Sequence, residues 1–461
     1  MMGNIPIVKY GALAIAAIAV GSLIIVGVNL DRAARMGAGY KAKIACSEIF
    51  LAGRDPVDVL STDFENITDA LSRISLRIND SEQTISAHGP LGLGRINAAY
   101  REGYGCTLAS GGRIAPLDPI APPDARDATA LARANDSTTL SFVDYDQIDR
   151  ILDAAFADEK AGNRAFLVMV DGKIVAERYG DGFSETTPLL SWSMGKSIMA
   201  TAIGAAVQDR LINIDDTITP PEWSDVQRKK ITWRHLLQMQ SGLEFDENYR
   251  DPKADAMRML FEARDAAGVA LAKPAQYAAG DYWSYSSGTT NLLSYFLKRE
   301  LDAVGIDYHS YPREKIFYPI GATSTVIEPD PTGVFIFSSF VYATARDWGL
   351  LGQLYLNDGE WQGQQILPKG WRDFVSQPAE KSDGQYGGQF WLNRDGAGER
   401  NRFFPALPEN VYFMSGHEGQ FVIMAPDKNM VLIRLGTTRG QSPMETAAPV
   451  LGALYETVKR P

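Results

Sequence analysis

The sequence predicts an α+β protein in which an antiparallel sheet is interrupted by a helical domain. Three observations carry this. Two β-rich runs joined by Asp171-Gly172 lie early in the main body, and a second pair flanks Ala425-Pro-Asp-Lys-Asn429 near its end. Between them the pattern is mostly helical, and helical stretches at Tyr145–Gly162 and Met444–Lys459 bracket the whole. The chain has 461 residues, 45% apolar and 22% charged, which is globular composition with room for two or three domains. Its 45 Lys and Arg against 56 Asp and Glu give a net charge of −11. That excess of acid argues against nucleic acid as a partner, since neutralising phosphates needs clustered cations. C-x-x-C, P-loop and H-E-x-x-H motifs do not occur, and there are four histidines, His88, His235, His309 and His417.

The N-terminus opens with an uncharged run of 20 residues, Gly11–Leu30. As a helix it would span about 30 Å, the depth of a bilayer's hydrocarbon core. It is longer than the apolar part of a signal peptide and has no A-x-A site after it. Residues 1–36 are therefore expected to anchor the chain in a membrane, with a cleaved signal as the alternative. Arg32, Arg35, Lys41 and Lys43 follow the run and Lys9 precedes it, which by the positive-inside rule would keep the body cytoplasmic. Cys46 and Cys106 argue the other way. A bridge closing about 60 residues would contribute about 4 kcal/mol in the loop-entropy picture, and it persists only in an oxidising compartment. The alternative is two unrelated buried thiols. The expected location is membrane-anchored, with an extracytoplasmic body.

Residues 45–115 read as a small separate module, with a hairpin formed by Ile74–Ile78 and Thr84–Ala87 around Asn79-Asp-Ser81. Residues 116–139 follow as a linker stiffened by Pro116, Pro119, Pro122 and Pro123. Residues 140–461 form the main body, with the helical part at roughly 200–340. Its hairpins are Ala165–Val170 with Lys173–Arg178, and Gln420–Met424 with Met430–Leu435.

Three short features carry candidate chemistry. Ser193-Met-Gly-Lys196 precedes the apolar run Ser197–Val207. A helix beginning there places Lys196 one turn from Ser193 on the same face, with the hydroxyl at the positive end of the helix. Desolvation would lower the pKa of the lysine and suit it to act as a base. Next, Trp283-Ser-Tyr285-Ser-Ser287 stands at a loop-to-helix junction, where a Tyr beside an ammonium would have its pKa lowered towards a phenolate base. Last, Ser415-Gly-His-Glu-Gly-Gln420 sets glycines around His417 at a strand start, which permits close backbone approach to a ligand. Each has a bland reading when taken alone: a chance S-x-x-K, a half-buried Tyr, a tight turn. A nucleophile elbow is excluded, because Ser191-Trp-Ser193-Met-Gly195 lacks its first glycine.

In this order the three features resemble the β-lactamase-like serine hydrolases, a superfamily that includes class C β-lactamases, penicillin-binding carboxypeptidases and family VIII esterases. The resemblance spans roughly residues 140–460 and rests on S-x-x-K at Ser193–Lys196, Y-S-x at Tyr285–Ser287 and H-x-G at His417–Gly419. Within it, Phe245-Asp-Glu-Asn-Tyr-Arg-Asp-Pro252 is most similar to 6-aminohexanoate-dimer (nylon oligomer) hydrolases, where the residue matching Tyr249 lies over the site and donates to the substrate amide. The chain departs from β-lactamases in having Ser287 for Asn and His417 for Lys. The resemblance implies a five-stranded antiparallel sheet with helices and a helical domain beside it, the penicillin-binding-protein-like transpeptidase fold, with the site between the two.

It further implies Ser193 as nucleophile, Lys196 and Tyr285 sharing the base role, and the N–H groups of Ser193 and Gln420 as oxyanion hole. His417, Gly419, Tyr249 and Ser287 would contact the substrate. No metal or cofactor is implied. The substrate is expected to be a small amide or ester, with linear amides favoured. A short-chain carboxylesterase and a non-hydrolytic penicillin-binding-like envelope receptor are the alternatives.

Overall fold

The computed structural model describes residues 7–120, 139–396 and 401–460. A six-stranded antiparallel sheet forms the centre, one strand more than expected, in the order β7-β8-β9-β10-β5-β6. Its strands are β5 (Asn163–Val170), β6 (Lys173–Tyr179), β7 (Trp391–Leu392), β8 (Tyr412–Gly416), β9 (Gln420–Ala425) and β10 (Met430–Gly436). The Asp171-Gly172 turn joins β5 to β6, and the 426–429 turn joins β9 to β10. β7 is only two residues long, too short for an alternating pattern to be read from the letters.

β5, β9 and β10 are buried almost throughout because helices cover both faces of the sheet. Alternation divides their side chains between two cores. Ala165, Leu167 and Met169 pack with Trp348, Leu351 and Leu354 of a helix at Ala345–Leu356 and with the site helix, Gly195–Gln208. Phe166, Val168 and Val170 pack on Ile148 and Leu152 of the helix at Tyr145–Ala157 and on Leu451 and Leu454 of the helix at Pro443–Tyr455. The helical domain lies between β6 and β7 and includes helices at Asp255–Phe261 and Ser287–Ala303.

The N-terminal part differs from expectation in three ways. First, one helix, α1, runs unbroken from Ile7 to Cys46, so no boundary falls at residue 36. Second, among the described residues no helix is long and apolar enough to cross a membrane. Most side chains of the Gly11–Leu30 run lie outside the described residues, while Met36, Ala38, Ala42 and Ile44 of the same helix are buried in protein. Third, the 45–115 stretch is not separate. Its four-stranded sheet, β1 (Ser75–Asn79), β2 (Thr84–His88), β3 (Ile96–Arg101) and β4 (Gly105–Leu108), packs on α1. The two then share a core with Leu190, Trp192, Phe261, Phe340 and Tyr342 of the main body.

Gly39 makes that docking possible, because a β-carbon there would collide with the carbonyl of Phe261. Cys46 and Cys106 form a disulfide with Cα atoms 6.0 Å apart, joining the end of α1 to β4. A buried ionic chain completes the junction. Arg54 Nη1 bonds Glu48 at 2.8 Å and Asp63 at 2.6 Å, and Arg164 Nη2 of β5 bonds Asp63 at 2.5 Å. Of the proline-rich 116–139 linker, residues 121–138 lie outside the described residues.

Candidate active site

Ser193 sits in a 3₁₀ turn, Trp192–Met194, that leads directly into the helix Gly195–Gln208. The helix is apolar nearly all round and buried from Gly195 to Ala206, so its start is held rigidly against the body. Ser193 itself is half-buried at the surface of this turn. Lys196, one turn on, is buried to 1% exposure. Burial lowers its pKa to about 8, with the Glu247 carboxylate pulling the other way.

The lysine ammonium makes three hydrogen bonds: to Ser193 Oγ at 3.1 Å, Ser287 Oγ at 2.9 Å and the Ser338 carbonyl at 3.0 Å. Ser287 gives its own proton to Glu247 Oε1 at 2.5 Å, so towards Lys196 it can only accept. The Ser338 carbonyl can only accept as well. Once the amine loses a proton, its two remaining N–H bonds stay on these two acceptors and its lone pair faces Ser193. The geometry therefore aims the base at the hydroxyl.

Tyr285 lies across the same amine, with Lys196 Nζ 4.8 Å from its ring centre. Its pKa is raised, not lowered. Burial is the main cause and the charge of Glu247 adds to it, while a hydrogen bond with Ser193 opposes them. The sequence-based expectation of a phenolate is thus reversed: burial of the ring, with the Glu247 carboxylate adding to it, keeps the phenol protonated. A protonated phenol can relay or donate a proton but is a poor base.

Glu247 organises the floor of the site. It accepts from Ser287 N at 2.8 Å and from the Tyr249 hydroxyl at 2.5 Å, and Tyr249 also lies 3.1 Å from Ser287 Oγ. Ser287 is the first residue of the helix Ser287–Ala303, whose N-cap is Ser286. Tyr249 is 44% exposed and its ring stacks on His417 at 6.5 Å, so the pair stands at the solvent side of the cluster. Burial lowers the His417 pKa, which keeps the ring neutral at neutral pH.

The third motif forms the turn between β8 and β9. A β-carbon on Gly416 would collide with the Ser191 carbonyl, so the end of β8 is the edge that meets the nucleophile turn. Gly419 has φ +86 and leaves room for Arg434, whose guanidinium holds the Glu418 and Gly419 carbonyls at 2.9 Å each. The side chain of Gln420 is buried and committed to structure, its amide donating to the carbonyls of His417 and Gly436. Among the described residues, no group of three or more His, Cys, Asp or Glu is placed to hold a metal.

A model of the family described as Beta-lactamase matches residues 148–456. The chain belongs to this family. A relative, the 6-aminohexanoate-dimer hydrolase of Paenarthrobacter ureafaciens, is 24% identical over 307 residues, covering 60% of this chain and 74% of that protein. Among solved structures, a provisionally assigned 6-aminohexanoate-dimer hydrolase from Bacillus anthracis matches with TM-score 0.55 and 22% identity. That match covers 75% of this chain and 88% of the other. A family VIII carboxylesterase matches with TM-score 0.53 and 15% identity, covering 68% and 97%. These likenesses establish the beta-lactamase fold.

For this member of the beta-lactamase family, the structure brings Ser193, Lys196, Tyr285, Ser287, Tyr249 and His417 into one cluster, and Gln420, expected in the oxyanion hole through its N–H, stands at the start of β9. Sequence reasoning missed Glu247 and Ser338. The first lies two residues before Tyr249 in the quoted Phe245–Pro252 stretch, so a signal existed. The second acts through its backbone and leaves none.

Proposed function

We propose that the chain is a serine hydrolase that cleaves small amide or ester bonds through an acyl-enzyme on Ser193. The single observation carrying this is the Lys196 amine, buried, lowered to about 8 and constrained to face Ser193 Oγ at 3.1 Å. In the reading, Ser193 Oγ attacks the carbonyl carbon and passes its proton to neutral Lys196. The resulting oxyanion would be met by the N–H groups of Ser193 and Gln420, as the family resemblance implies. Neutral Tyr285 or the new ammonium then protonates the leaving amine or alkoxide, and water releases the acyl group by the reverse path.

Linear amides are favoured over esters because Tyr249 stands at the mouth with a hydroxyl able to meet an amide, and because the Paenarthrobacter relative is named for such a substrate. The Cys46–Cys106 disulfide supports an extracytoplasmic body. The test is mass spectrometry after a fluorophosphonate probe, followed by amide and ester panels. An adduct on Ser193 with amide turnover is expected. An adduct with ester turnover alone makes the chain a carboxylesterase, a single stoichiometric burst makes it a receptor, and no adduct refutes the nucleophile.

A further inference from the structure

The residue before the nucleophile, Trp192, has φ +46, a left-handed conformation that a bulky side chain adopts only when its surroundings impose it. The indole is buried and walled by three rings. His417 meets it edge-on at 5.6 Å and Phe340 lies at 6.4 Å. The third ring is Tyr40 of α1, nearly parallel at 13° with centres 6.3 Å apart. Tyr40 lies outside residues 148–456, the span that matches the family.

One turn further along α1, Lys43 is buried with its ammonium 4.2 Å from the centre of the Phe340 ring and ion-paired with Glu328. Glu328 also accepts from Ser47 Oγ at 2.7 Å and from the Cys106 N–H at 2.6 Å. All these side-chain partners belong to the N-terminal part. The backbone of Glu328 pairs with the segment that returns to the site: its N–H donates to Phe340 at 2.9 Å, and its carbonyl accepts from Ile336 at 3.0 Å. Between those two residues lies Ser338, whose carbonyl takes one of the three bonds of Lys196.

We propose that α1 supports the catalytic machinery at two points, with Tyr40 and Lys43 as positioning residues. Tyr40 holds the strained Trp192 so that Ser193 meets its base. Lys43, through Glu328, holds the 336–340 segment so that the Ser338 carbonyl meets Lys196. The Cys46–Cys106 bond fixes Lys43 over Glu328 by tying the end of α1 to the strand that supplies the Cys106 N–H. The inference rests on Ser193 being the nucleophile, so Ser193→Ala is run in parallel.

The experiment compares Tyr40→Ala, Tyr40→Phe and Met36→Ala in the full chain on an activated ester, recording kcat, KM, thermal midpoint and the rate of fluorophosphonate labelling. Met36 is buried in the same helix and makes none of the ring contacts around Trp192, so it controls for loss of packing on α1. Tyr40→Ala should lower kcat and the labelling rate at least tenfold with KM within twofold. Tyr40→Phe should restore both, and Met36→Ala should leave kcat within twofold. If Tyr40→Ala does not fold, Tyr40→Leu takes its place with the same expectation. An equal fall in kcat for Met36→Ala, or wild-type kcat in Tyr40→Ala or its Leu substitute, overturns the proposal. Retained turnover in Ser193→Ala would instead remove the reading on which it rests.

Discussion

Glu247→Gln tests the electrostatics of the site most directly. The carboxylate reaches Lys196 through one hydroxyl: Lys196 Nζ lies 2.9 Å from Ser287 Oγ, which lies 2.5 Å from Glu247 Oε1. The two charges are therefore about 5 Å apart. At an effective dielectric of about 20 they attract by about 3 kcal/mol, or about two pKa units. Because the exposed Tyr249 edge admits water, a change of about 1–2 units is expected. The sign follows from which form the carboxylate favours. It stabilises the ammonium, so its removal lowers the lysine pKa further below about 8. Only the neutral amine accepts the serine proton, so activity rises with pH through that pKa. The assay is the pH dependence of kcat/KM on an activated ester, which reports the free enzyme. The acid limb should have its midpoint near 8 in the natural chain, matching Lys196, and about 1–2 units lower in the variant. Glutamine also turns an NH₂ towards a donor, Ser287 N or the two hydroxyls, so kcat should fall as well; the midpoint carries the test. A midpoint that stays within 0.3 of a unit (about 0.4 kcal/mol), or one that rises, refutes the assignment of Lys196 as the titrating base.

Three other outcomes are expected. Lys196→Ala and Tyr285→Phe should each lower kcat by at least about 100-fold, as loss of acid–base help does, while thermal midpoints show the fold intact; near-normal rates would make the residue structural. Arg434→Met should destabilise the chain by at least about 2 kcal/mol in urea, because the Glu418 and Gly419 carbonyls lose their buried donor. A smaller change would mean that water replaces the guanidinium. Cys46 and Cys106 should resist alkylation until a reductant is added, and removing the bond should cost about 4 kcal/mol in the loop-entropy picture. Immediate labelling of native membranes would place the body in a reducing compartment.

What the letters determined about this protein is what depends on short spacing. Lys196 lies one turn on from Ser193 because the 3₁₀ turn at Trp192–Met194 runs straight into the helix, and the hairpin turns at Asp171-Gly172 and 426–429 follow from local chemistry. The order of the three motifs was enough to suggest the family that the 148–456 match established. Tertiary structure alone decided the rest, because it depends on contacts between distant residues. The two-residue strand β7 exists through its pairing with β8 on one side and with 385–386 on the other, and α1 continues to Cys46 because its second half finds a core to enter. The direction of the Tyr285 shift depended on burial of the ring, with a carboxylate 38 residues earlier in the chain adding to it, and the aim of the Lys196 lone pair depended on the Ser338 backbone. Proton affinities and lone-pair directions are set by everything within a few ångströms, and a sequence does not state what those neighbours are.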